Sequence, residues 1–173
     1  DNDFLGQVAI AWEAAALRAE LSGMRVVCLR TGIILGQGGG ALEAMLLPFK
    51  LGVGGPLGSG RQWWSWVAFD DVIGLIDFAL RTPKVEGPLN VTAPQPVTAE
   101  TFARTLGRVL ARPTAINVPP PLFRLLYGDV ADETVLQSAR VLPERLRTSG
   151  YTFRHPDLEG ALRHLLDKAP VHG

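Results

Sequence analysis

The sequence predicts an α/β fold, part of a parallel sheet with its helices, followed by a small, mostly helical C-terminal portion. Three observations carry this reading. Residues 25–35 are almost continuously apolar, as in a strand buried on both faces of a parallel sheet. A helical apolar pattern precedes them, so helix and strand together make half of a βαβ unit. After Arg112 the texture changes to short helical pieces, broken first by Pro119, Pro120 and Pro121.

Each element has its own signal. Phe4, Val8, Ala11, Trp12 and Ala15 recur at helical spacing, the pattern runs out at Leu21, and Gly23 is a natural stop. The apolar strand comes next, with Val26, Val27, Cys28 and Leu29, then Ile33, Ile34 and Leu35. Ten of the 19 glycines lie between Gly32 and Gly60, where only Glu43 and Lys50 are charged. Such a long, neutral insertion reads as a binding loop or lid on a rigid scaffold. Inside it, Leu42, Met45, Leu46 and Phe49 predict a short helix interrupted near Pro48. Residues 63–69 read as a strand, and Asp70 or Asp71 can cap a helix whose stripe is Val72, Leu75, Ile76, Ala79 and Leu80. Residues 88–92 give another strand. Thr98 is the expected N-cap of a helix carrying Phe102, Leu106, Val109 and Leu110, with Glu100 near its positive end. Leu158, Ala161, Leu162, Leu165 and Leu166 form the last stripe, and the tail beyond Asp167 is expected to fray.

This order leaves a topological problem. A doubly buried strand needs parallel neighbours on both sides, yet the chain offers few other strands and begins one helix earlier. The expectation is the C-terminal part of a larger α/β protein, with a self-contained α+β domain as the alternative. The predicted division is residues 1–112, the sheet-bearing part with its glycine-rich lid, and residues 113–173, the small C-terminal domain.

At 173 residues the chain suits one domain with an appendage, large enough to bury roughly 70% of its unfolded surface. Seventeen basic and 17 acidic residues cancel, so no global field favours nucleic acid or anionic lipid. Low net charge leaves homo-oligomerisation open. The single cysteine, Cys28, excludes an internal disulfide framework and points to a reducing, cytoplasmic setting. No apolar run reaches the ~20 residues of a membrane helix, and the acidic opening, Asp1 and Asp3, does not suit a signal peptide.

Several motifs fail on mechanism. Gly36–Ala41 spells a dinucleotide fingerprint, but no acidic residue lies between Glu43 and Asp70 to hold the ribose about 20 positions on. Residues 55–62 have P-loop spacing with Arg61 and Gln62 where lysine and a hydroxyl are required. His155, His164 and His172 show no carboxylate spacing for a metal cluster, so no metal is expected. No nucleophile elbow is present. Neither Tyr127 nor Tyr151 has a lysine four residues on, since Ala131 and His155 stand there. Neither can be the phenol of a hydride-transfer Tyr-Lys pair, and no residue of the chain is assigned a catalytic role. What remains is the stretch 58–71, where Arg61, Gln62, Trp63, Trp64 and Trp66 lie beside the flexible glycines. An arginine among indoles can hold a phosphate or carboxylate while the ring faces cover a sugar or base. Alternation along a strand would instead bury Trp64 and Trp66 in the core, and the pattern alone leaves both readings open.

Arg30-Thr31-Gly32-Ile33-Ile34-Leu35-Gly36, then Gly-x-Gly-x-Gln-x-x-x-x-Val from Gly58 to Val67 with Asp70-Asp71-Val72 after it, then Gly87-Pro88-Leu89-Asn90-Val91, resemble the C-terminal half of an extended short-chain dehydrogenase. More narrowly, the chain is similar to the atypical NAD(P)-dependent, sugar-nucleotide-epimerase-like family that ends in a small domain of unknown function. That ending is seen in residues 140–146, Gly150-Tyr151-Thr152-Phe153 and Ala161-Leu162. The resemblance implies a Rossmann-like upstream part that carries the glycine fingerprint and catalytic tyrosine and binds most of an NAD(P) cofactor, with NADP favoured. It assigns Arg30, Thr31, Gly32 and Ile33 to the cofactor, and Arg61, Gln62, Trp63 and Trp66 to a small-molecule substrate such as a nucleotide sugar. The family often has histidine where Ala68 stands and a smaller residue at Trp64, which bears on the substrate.

Two functions are compatible with these features. The first is the substrate-binding half of an NAD(P)-dependent oxidoreductase or epimerase, inactive without its upstream half. The second is a non-catalytic binding or protein-interaction module that uses the tryptophans and the proline-rich C-terminal part as its contact surface.

Overall fold

The computed structural model describes residues 4–114 and 138–167. Helix α1 (Phe4–Leu17) runs through a 3₁₀ turn, Arg18–Ser22, and stops at Gly23, which is left-handed at φ 76°. Strand β1 (Val27–Thr31) pairs in parallel with β5 (Gly87–Val91). Strand β2 (Ile33–Leu35) pairs in parallel with β4 (Trp66–Ala68), and β3 (Trp63–Trp64) pairs antiparallel with β6 (Val97–Thr98). Helix α2 (Gly40–Lys50) fills part of the glycine-rich region with Pro48 inside it, and α3 (Phe69–Arg81) comes directly after β4. Helix α4 (Ala99–Val109) starts at Thr98, whose Oγ1 accepts the Thr101 amide as expected. In the C-terminal portion lie α5 (Glu144–Thr148) and α6 (Leu158–Asp167). The triple proline, Tyr127, His172 and the tail fall outside the described residues.

Two apolar clusters hold these elements. One joins α2, α4 and α6 through Leu42, Phe49, Phe102, Leu106, Leu162 and Leu165 around Trp64 and Trp66. The other packs α3 and Leu146 of α5 against β5 and Val67. The described C-terminal residues thus share both clusters with the sheet-bearing part.

The sequence reading needs correction at five places, the last of them the cap of α3. The apolar stripe of α1 is not covered, since Phe4 and Trp12 are 78% and 74% exposed and Ala11 and Ala15 are exposed too. Strand β1 is not doubly buried: Cys28 is covered, but Leu29, Arg30 and Thr31 are exposed, and β5 is its one ladder partner among the described residues. Within this chain, nothing described supplies the second neighbour that an apolar run of this kind is suited to meet. Stretch 63–69 is two short strands rather than one, because the chain changes partner at Ser65. In α3, Val72, Leu75 and Ala79 are buried but Leu80 is exposed.

Neither Asp70 nor Asp71 caps α3. The N-cap is Ala68, without a side-chain bond, and both aspartates sit in the first turn. Asp71 is fully buried and clamps the C-terminal portion. Its Oδ1 accepts from the Arg154 amide at 2.8 Å and the Tyr151 hydroxyl at 3.1 Å, and its Oδ2 accepts from the His155 amide at 3.0 Å. A buried carboxylate is tolerable only when satisfied in this way.

Burial, reinforced by the Asp71 carboxylate, raises the Tyr151 phenol well above its ordinary value. Above about pH 10 the unfolded chain therefore releases a proton that the folded chain keeps, and stability falls as pH rises. Tyr151→Phe should be less stable at neutral pH, through loss of its hydrogen bond, and should show a shallower alkaline decline. Urea midpoints measured from about pH 8 to about pH 11 test this; equal slopes in both proteins would remove Tyr151 as the cause.

Candidate functional site

The strand pairs do not form one continuous sheet, and the cleft opens where they part. After β1 the Gly32 amide donates to the Val91 carbonyl at 3.1 Å, and the next amide, Ile33, donates to the Ser65 carbonyl at 2.8 Å. The chain thereby leaves β5 and joins β4 within one residue. On the other side Ala93 donates to the Trp66 carbonyl at 2.6 Å. A Cβ at Gly32 would collide with the Ser65 carbonyl and touch the Thr92 methyl, so only glycine fits this junction without movement.

The resulting cleft has a volume of about 910 Å³. One wall is Arg30, Thr31, Gly32 and Ile33; another is Trp63, Trp64 and Ser65; Asn90 and Thr92 come from the end of β5, and Ala41 and Met45 from α2. Arg30, Thr31, Asn90 and Thr92 all lie at the carboxyl ends of the parallel pair β1–β5, where open α/β sheets bind their ligands. The volume is at the upper end of ordinary small-molecule pockets.

A strap, residues 138–142, completes the rim. The Trp63 amide donates to Ser138 Oγ at 3.0 Å, and the Ala139 amide to the Trp63 carbonyl at 3.1 Å. Ser65 Oγ donates to the Ala139 carbonyl at 2.7 Å and accepts the Val141 amide at 2.8 Å. Asn90 Nδ2 donates to the Leu142 carbonyl at 3.3 Å. The Arg140 guanidinium lies 4.8 Å from the centre of a Trp63 ring, within range for a cation–π contact.

Five of the residues assigned from the sequence come together here: Arg30, Thr31, Gly32, Ile33 and Trp63. The Arg30 guanidinium, however, is held by α1. Its Nε and terminal nitrogen donate to both oxygens of Glu13 at 2.7 and 2.6 Å, which raises the arginine's pKa and lowers that of Glu13. Its charge is already partnered.

The remaining three assignments do not reach the cleft. Arg61 is exposed on the Gly60 turn, and Gln62 is buried, with Nε2 donating to the Leu57 carbonyl at 2.9 Å. Trp66 is fully buried in the core, its indole N–H donating to the Gln95 carbonyl at 3.0 Å. These are corrections: Arg61 and Gln62 sit on the turn before β3, away from the lining, and Trp66 is carried into the core because β4 runs inward after Ser65, so the tryptophan that reaches the cleft beside Trp64 is Trp63. Trp64, itself 3% exposed, packs edge-on against Phe102.

Sequence reasoning misses Asn90 and Thr92 as site residues. Their signal is a polar residue inside, and one just after, an otherwise apolar strand. Ser65 carries no sequence signal as a site residue, and residues 140–142 of the strap enter the sequence reading only as part of the family ending. Among the described lining residues there is no histidine, carboxylate, lysine or phenol. Tyr151 stands apart on Asp71, its pKa moved in the direction opposite to that of a proton-transfer tyrosine.

Folding also assembles a cluster that linear spacing does not show. Asp70, His155 and His164, from α3, the loop before α6 and α6 itself, each place one donor atom within 4.8 Å of the others. The carboxylate of the cluster comes from α3, far upstream, and not from Asp157, Glu159 or Asp167 in the histidines' own stretch of sequence.

Comparison with known proteins gives this geometry a family. Residues 118–165 match a family model described as a domain of unknown function, DUF1731. The human epimerase family protein SDR39U1, solved with NADPH, superposes with a TM-score of 0.90 at 38% identity, over 98% of this chain and 57% of that one. The chain is similar to the epimerase family proteins of the short-chain dehydrogenase/reductase class. A further relative, the epimerase family protein Mb2239 of Mycobacterium bovis, is 40% identical over 92% of this chain and 53% of its own length. The nucleoside-diphosphate sugar epimerase of Corynebacterium glutamicum superposes with a TM-score of 0.74 at 31% identity, covering 95% of this chain and 31% of that one. The chain spans about half the length of the curated relatives it matches. Its Rossmann-like α/β class is that of these solved relatives.

Gly32→Ala should destabilise the fold by about 1–3 kcal/mol, because backbone rather than a flexible side chain must yield. Urea denaturation measures this. A loss within about 0.5 kcal/mol, the range of a neutral surface change, would show that the junction is not tight.

Proposed function

We propose that this chain is the substrate-facing half of an NAD(P)-dependent epimerase or related oxidoreductase acting on a small molecule of the nucleotide-sugar class. The observation that carries the reading is the cleft at the carboxyl ends of β1 and β5, which unites Arg30–Ile33 with Trp63, Asn90 and Thr92. Residues 30–33 run past the cofactor, with their backbone rather than the Glu13-bound guanidinium facing it. Trp63 offers a ring face to a sugar or base, and Thr31, Ser65, Asn90 and Thr92 supply polar atoms for orientation.

In this reading residues 1–112 belong to the Rossmann-like part and residues 113–173 form its C-terminal extension. Most of the cofactor, with NADP favoured by the NADPH bound to the human relative, is held by an upstream half. That half also supplies the proton-transfer tyrosine, since the cleft has no described residue suited to the role. The working location is the cytoplasm. No helix of the described residues is long and apolar enough to cross a membrane.

Titration of the 173-residue chain, monitored by tryptophan fluorescence, tests the division. Saturable quenching by a uridine-diphosphate sugar is expected, and Thr31→Trp, which fills the cleft, should abolish the added response. NADPH should give no micromolar binding. Tight NADPH binding would overturn the assignment of the cofactor to an upstream half. Absence of any response to nucleoside-diphosphate sugars, in this chain and in the protein joined to an upstream half, would overturn the substrate class.

A further inference from the structure

We propose that Asp70, His155 and His164 form a binding site for a divalent transition-metal ion of the zinc class. The site is separate from the nucleotide-sugar cleft.

Both imidazole Nε2 atoms approach the same carboxylate oxygen. Asp70 Oδ2 lies 2.7 Å from His164 Nε2 and 3.9 Å from His155 Nε2, and the two rings are 4.3 Å apart with a tilt of 31°. A simple ion pair would need one histidine; two that converge on one oxygen make a three-donor face. Tetrahedral coordination at roughly 2.0–2.1 Å per bond places neighbouring ligand atoms about 3.3 Å apart. Two of the three spacings, 2.7 and 3.9 Å, bracket that value, and all three donor atoms lie within 4.8 Å of one another. Two imidazole nitrogens and one carboxylate oxygen suit zinc and its neighbours better than magnesium or calcium, which prefer oxygen ligands.

The surroundings favour a built site. The three side chains are 29%, 15% and 35% exposed for Asp70, His155 and His164, shielded enough for electrostatic attraction and open enough for an ion to enter with a water as fourth ligand. The His155 backbone is fixed by the buried Asp71, which accepts its amide. Asp70 lies just past the carboxyl end of β4, and Gln37, on the loop leaving the neighbouring β2, donates to the Leu165 carbonyl beside His164. An ion here would fasten α6 to the ends of β2 and β4.

Calorimetric titration of the 173-residue chain with Zn²⁺ should show one ion per chain. Affinity should drop at least about tenfold, a loss that even outer-sphere changes commonly produce, in each of Asp70→Asn, His155→Gln and His164→Gln, and should stay unchanged in His172→Gln. Circular dichroism without metal identifies variants that still fold. For any that do not, the wild-type chain loaded with Co²⁺ decides, since a four-coordinate nitrogen and oxygen site gives an intense visible absorption. Absence of saturable Zn²⁺ binding, binding retained in a folded cluster variant, loss in His172→Gln, or a Co²⁺ spectrum of six-coordinate type would each overturn the site.

Discussion

A single residue without a side chain lets one strand serve two partners. At Gly32 successive backbone amides donate to Val91 and to Ser65, and the space a Cβ would need is occupied by the Ser65 carbonyl. The other features of the cleft depend on that switch. Because β1 stays with β5 while β2 goes to β4, the carboxyl ends of the first pair are left facing the start of the second. Trp63 and Ser65 then stand opposite Thr31 and Asn90 across open space. The glycine at this position is required by close approach, not by a left-handed backbone.

A second constraint keeps the cleft's rim in place. The strap at residues 138–142 has few apolar anchors of its own and depends on hydrogen bonds to Ser65, Asn90 and Trp63. Residues 143–155 are held more firmly, by Leu146 in the core and by the clamp on Asp71. A buried carboxylate with three protein donors is specific because any displacement leaves a charge unsatisfied. The C-terminal portion is therefore docked in one orientation, and the strap's position is inherited from that docking.

Legibility in the sequence depends on locality. The Thr98 cap is legible because donor and acceptor are three residues apart, and the Gly23 stop because its left-handed backbone is a property of one residue. Asp70 and Asp71 look like caps for the same reason, but their actual partners, His164 and residues 151–155, come from the far C-terminal portion of the chain. The tryptophans illustrate the limit from another side. Alternation predicts one face for Trp64 and Trp66, and both are buried, yet the partner change at Ser65 decides that Trp63 meets the cleft, and no periodicity encodes it. Family resemblance locates residues 30–33 along the chain, and they do line the cleft, but it cannot show that the Arg30 guanidinium is held by Glu13.

Among the described residues β1 has one ladder partner, and its other edge connects the fold to the proposed division of labour. A strand edge that presents unpaired amides and carbonyls is a template for another strand, and exposed apolar residues accompany this one. Leu29, Ile76 and Leu80 line a shallow groove between β1 and α3, and Phe4, Ile10 and Trp12 of α1, whose Glu13 pairs with Arg30 of β1, are exposed as well. Scattered exposed apolar residues need no explanation, but contiguous ones beside an open edge do. A parallel strand with a covering helix would satisfy both the hydrogen bonds and the apolar faces at once, and it would also continue the sheet past the carboxyl ends where the cleft lies. In the proposed reading the upstream half does so, and the surface that completes the fold is then the same surface that brings the cofactor to residues 30–33.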